Sequence, residues 1–173
     1  MSEARLPVFR TVTLGIHATP HDYLRALKAA KCAVSEMAAD VLSTIEVSPV
    51  RTEVNLVVLS VQELGFRVVT PYGAIRKRAG EIGVQVCPAE VGPALRLQYL
   101  DQPKSDEHML RIGMMPIYHK TGGWLFDLLH IPGPRFMGRG LSLGVSDAEP
   151  VRVWGEGFGP GAEFVFTSAS LSD

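Results

Sequence analysis

The spacing of apolar residues changes character at Gly83. Before that point the apolar positions recur at helical spacing; after it they alternate. Tyr72, Ile75, Ala79 and Ile82 fall on one helical face. Leu95, Leu97 and Tyr99 instead alternate with Arg96 and Gln98, the period of an extended strand. Leu110, Ile112 and Met114 repeat the alternation, as do Trp124, Phe126 and Leu128. "GLSLGV", "VRVW" and "EFVFT" are shorter strand candidates, and "DQPKSDE", "HKTGG", "IPGP", "SDAEP" and "GEGFGPG" supply the turns. This segregation argues against a doubly wound sheet, whose helices and strands alternate throughout. It predicts an α+β fold, with about three helices packed on a mainly antiparallel β-sheet. The helical half covers roughly 9–83, the strand-rich half roughly 84–167, and both belong to a single domain, 1–173.

Local signals place the elements of the first half. "FRTVTLGI" (Phe9–Ile16) alternates and is rich in β-branched residues, so it reads as a strand. Thr19 is a helix cap, Pro20 suits the first helical position, and Asp22 favours the positive end of the helix dipole. A second helix starts near Ser35, with Met37, Ala38, Val41, Leu42 and Ile45 as its apolar stripe and Pro49 beyond its end. The apolar run Leu56–Leu59 suits a strand covered on both faces, with Gly65 after it. Thr70 is the expected cap of a third helix, Pro71 its first turn, and Gly83 its C-terminal stop.

Composition excludes several classes. The chain carries 17 basic and 18 acidic residues, so it lacks the positive excess of a general nucleic-acid binder. Apolar residues make up 46%, far from a disordered composition. Cys32 and Cys87 form no Cys-x-x-Cys pair and read as free thiols of a reducing compartment, with the cytoplasm as the default. "MSEARLPVFR" has no apolar core of a signal peptide, and no apolar run reaches membrane-spanning length.

No cofactor and no metal site is expected. The Gly-x-Gly of "GEGFGPG" has Pro160 where a dinucleotide fingerprint needs its third glycine, and it lies between late strands. His17 and His21 are four apart, but His17 precedes the helix cap. His108, His119 and His130 read as surface histidines. Arg76, Lys77 and Arg78 form a basic cluster on the third helix, either a solvated face or a phosphate- or acid-binding patch. The first two helices resemble a helix-turn-helix, but Glu36 and Asp40 on the second would be repelled by phosphates.

"CPAEVGPALRLQYLDQP" (Cys87–Pro103) is the richest polar stretch. Pro88 and Pro93 restrict its backbone, and Gly92 permits an unusual turn. Read as a strand, it projects Arg96 and Gln98 from one face, with Glu90 before them and Asp101 and Gln102 after. Arg111 joins them if the next strand pairs in a suitable register. The functional reading is a ligand-binding face comprising Glu90, Arg96, Gln98, Asp101, Gln102 and Arg111, able to hold a polar or anionic ligand. The structural reading is that Glu90 or Asp101 pairs with Arg96 and pins the turn. Cys87 is a nucleophile or a buried thiol, and the absence of an obvious histidine partner favours the thiol.

"LSVQELGF", "AIRKRAGEIGVQVCPAEVGPALRLQYLDQP" and "LRIGMMPI" resemble a group of small bacterial proteins of unassigned function. Their shared pattern runs Leu-Gly-Phe, a helix ending in Leu-Cys-Pro, Glu-Val-Gly-Pro, Leu-Arg-Leu-Gln-Tyr and Asp-Gln-Pro. The likeness covers about Val57–Ile117; it departs at Val86, in place of leucine, and in the turn Lys104–Glu107. It implies a bacterial or phage origin and points to Cys87, Glu90, Arg96, Gln98, Asp101 and Gln102 as shared positions. It implies no reaction.

The leading expectation is a non-enzymatic module that binds a protein or a small polar or anionic ligand around Arg96. The alternative is a hydrolase-like enzyme, with Glu90 or Asp101 as general acid-base and Arg96 stabilising negative charge. A nucleic-acid accessory protein using the Arg76 cluster is the third.

Overall fold

A computed structural model describes residues 5–106, 108–119, 125–135, 140–148 and 157–168. Among them are four helices: α1 (Pro20–Ala29), α2 (Glu36–Leu42), α3 (Tyr72–Glu81) and α4 (Val91–Gln98). Nine strands accompany them: β1 (Arg10–Leu14), β2 (Ala33–Val34), β3 (Thr52–Ser60), β4 (Val84–Gln85), β5 (Met109–Ile112), β6 (Ile117–His119), β7 (Leu125–Pro132), β8 (Ser142–Asp147) and β9 (Glu163–Ser168). They form one mixed sheet in the order β1-β3-β9-β5-β7-β8-β2, with β4 also on β9 and β6 on β7. The β5–β9 and β2–β8 pairs are parallel and the remaining pairs antiparallel. The fold is therefore α+β, with one helix more than the sequence pattern predicts. Among the described residues no helix is long and apolar enough to cross a membrane.

The last strand in the chain lies in the middle of the sheet. β9 inserts between β3 and β5, and Phe164, Val165, Phe166 and Thr167 are all buried. Its continuous apolar character follows, because a strand covered on both faces has no solvent side to alternate with. Tyr72 of α3 stacks on Phe164 at 5.6 Å between ring centroids, and Phe158 meets Phe164 edge-on at 5.1 Å.

The first two helices begin where their caps predict. The Thr19 hydroxyl accepts from the Asp22 amide and the Ser35 hydroxyl from the Ala38 amide. α3 departs from expectation. Its cap position is Pro71, without a side-chain bond, because the Thr70 backbone pairs in both directions with Phe158 and its hydroxyl donates to Val68. Gly83 does follow the helix with a positive φ of 88°, a conformation glycine adopts without penalty. The expected strand "VRVW", Trp124 and most of the C-terminal tail lie outside the described residues.

The larger correction concerns residues 91–98. They form α4, not a strand, so Arg96 and Gln98 do not project from a solvated sheet face. Pro93 fits because the first helical turn has no intrahelical donor duty to perform. Val91, Gly92, Pro93, Ala94, Leu95 and Arg96 are all buried. Gly92 and Pro93 weaken the helical signal, and the local alternation Leu95, Leu97, Tyr99 mimics a strand. Gly92 allows the close approach: a Cβ there would stand 2.7 Å from Leu129 Cδ1 on β7. Gly92→Ala should therefore destabilise the protein by about 2 kcal/mol, as overpacking does. Chemical denaturation measures this, and an unchanged midpoint would contradict the tight α4–β7 contact.

Candidate functional site

α4 carries most of the residues singled out in the sequence, and the fold uses them internally. Glu90 is 1% exposed. Its Oε1 accepts from the Gly15 amide at 2.7 Å and the Tyr23 hydroxyl at 2.6 Å, and its Oε2 accepts from the Ser48 amide at 2.7 Å. One carboxylate thus ties the loop after β1, helix α1 and the loop before β3 to the start of α4. Burial, followed by the hydrogen bond to Glu90, pushes the Tyr23 phenol well above its ordinary value. Tyr23 therefore stays a donor to the carboxylate.

Arg96 is 0% exposed. Its terminal nitrogens donate to Gln102 Oε1 at 2.7 Å and the Tyr99 carbonyl at 2.6 Å, and its Nε has no partner. Gln102 in turn donates to Asp106 Oδ2 at 3.1 Å. Burial pulls the Arg96 pKa down, and the amide of Gln102 relays the charge towards Asp106. Neither Glu90 nor Asp101 is its partner. Asp101 is exposed and pairs with Arg10 at 3.2 Å, while Arg10 lies over the Tyr99 ring at 4.4 Å.

Gln98 has a different task. Its side-chain amide accepts from the Thr13 amide at 2.9 Å and donates to the Thr13 carbonyl at 2.8 Å. It satisfies the outward N–H and C=O of Thr13 on the edge strand β1, as a neighbouring strand would at that position. Cys87 is buried, its thiol donates to the Val165 carbonyl at 3.3 Å, and burial raises its pKa. That is the thiol reading. In the basic cluster, Arg78 bonds the Leu64 carbonyl and Glu81, and Arg76 bonds Met115 and lies 6.0 Å over Tyr72.

Arg111 does not join this group. Leu129 faces α4 through Gly92, so the next residue, His130, faces the other side of the sheet. Arg111 pairs directly with His130 in the β5–β7 register and shares that far side. His130 pairs in turn with Gly144 on β8, giving a row Arg111–His130–Gly144 across three strands. A Cβ on residue 144 would stand 2.3 Å from His130 Nε2, so glycine makes room for the ring. His130 Nδ1 and Ser146 Oγ are 2.6 Å apart. Arg111 lies over the Phe158 ring at 5.1 Å, and its Nε is sealed without a partner. Among the described residues the Arg111 guanidinium has neither a hydrogen bond nor an ion pair.

His130 and Ser146 were not legible as site residues. His130 reads as a surface histidine in sequence, whereas it is half-buried and lies against β8. The one available signal was a histidine inside the apolar run "LLHIP"; its neighbours depend on register. Burial, and after it the charge of Arg111, lowers the His130 pKa from 6.5 to about 4.

Among the described residues the remaining polar positions form no comparable group. His17 packs edge-on against Tyr23 at 4.8 Å, and exposed His108 pairs with Glu163. A groove of about 230 Å³ between α1 and α2 is bordered by His21, Leu24 and Leu42, away from both arginines. Comparison with protein-family models, curated proteins and solved structures found no match.

Two predictions follow from these environments. Tyr23→Phe should cost about 1.5 kcal/mol and Glu90→Ala about 3 kcal/mol in urea denaturation, because truncating Glu90 strands three donors, one buried and two half-buried. Equal, small losses would mean the clamp is not carrying the loops. For His130, the unfolded chain takes up a proton as pH falls below 6.5, while the folded chain resists until about 4. Stability from this residue is thus full above the unfolded value and lost on acidification through that window, by up to about 3 kcal/mol. His130→Asn should flatten that part of the stability–pH curve.

Proposed function

We propose that this protein is a non-enzymatic binding module for a small anion, and that the anion is held by Arg111. The observation that carries the reading is the half-buried Arg111 guanidinium without a hydrogen bond or ion pair among the described residues. An uncompensated cation in such a setting costs stability, and such costs are concentrated at functional sites. Arg96, by contrast, has its terminal donors satisfied inside the fold.

Charge favours binding over chemistry. A Ser146–His130 pair is at hydrogen-bond distance, the contact that a hydrolase reading would use. A general base must then hold a proton as imidazolium, and burial and Arg111 both disfavour that form. The carboxylates of the earlier hydrolase expectation have other duties: Glu90 accepts three donors and Asp101 pairs with Arg10 at the surface. A nucleic-acid role through Arg76 and Arg78 has less support, because both side chains are engaged within the protein.

The test is a pair of opposite effects from one substitution. Arg111→Met should stabilise the ligand-free protein by about 1 kcal/mol, because it removes an unpaired charge and keeps the stem's bulk. A small anion at about 100 times its Kd should raise the wild-type Tm by roughly 5–10 °C and leave the variant's Tm unmoved. Identical anion responses in both proteins would end the assignment to Arg111.

A further inference from the structure

We draw no further inference here: the strongest candidate, the exposed apolar surface patch at the start of α3, where Val68 and Val69 precede the helix and Met115 lies against Arg76, carries none because nothing in the structure shows what covers it.

Discussion

The Glu90 carboxylate gathers three segments of this chain that lie far from it in sequence. It sits at the buried start of α4 and accepts from Gly15, Tyr23 and Ser48. A carboxylate in the interior requires donors, and here they come from two backbone amides and a phenol. The loops after β1 and before β3 must therefore close over the helix. Gly15 meets that demand with a φ of 71°, and a Cβ there would stand 2.2 Å from the Val50 carbonyl oxygen. The position of α4 follows from this clamp at its front and from Gln98 at its rear, which binds the edge of β1. Leu129 pressed against Gly92 then fixes the helix on the sheet.

Two arginines in this fold meet opposite fates. Arg96 is completely enclosed, yet its terminal nitrogens find Gln102 and the Tyr99 carbonyl within the same short segment. Its role is to hold the end of α4 and the turn that follows. Arg111 is less covered, but no acceptor among the described residues reaches it. Burial alone therefore does not decide whether a charge is satisfied within the fold. The distinction rests on whether the protein itself supplies the acceptors, since an arginine already satisfied has little to gain from a ligand.

The groups around the second arginine are mutually dependent. His130 fits between strands because residue 144 has no side chain, and its Nδ1 is matched to Ser146. Arg111 beside it favours the neutral imidazole. The histidine thereby fills space and orients a hydroxyl without adding charge. Hydroxyl, imidazole and guanidinium thus share one side of the sheet across adjacent strands.

Much of the scaffold was legible because it is locally encoded. Thr19 and Ser35 cap helices through bonds spanning three residues, and the apolar run of β3 reports burial on both faces. Gly83 ends α3 through its own backbone freedom. The identity of the polar stretch was legible as well, since Glu90, Arg96, Gln98 and Gln102 all make specific contacts. Its conformation was not, because Gly92 and Pro93 weaken the helical signal and the alternation of Leu95, Leu97 and Tyr99 imitates a strand. The row Arg111–His130–Gly144 lay further out of reach. Its members come from three strands, and one residue of slip in either pairing would send their side chains to opposite faces. Sequence alone thus pointed to the α+β class and to the polar stretch from Glu90 to Gln102. Tertiary structure decided which of them find partners among the described residues, because the partners of Glu90 and Gln98 are brought to them only by long-range packing.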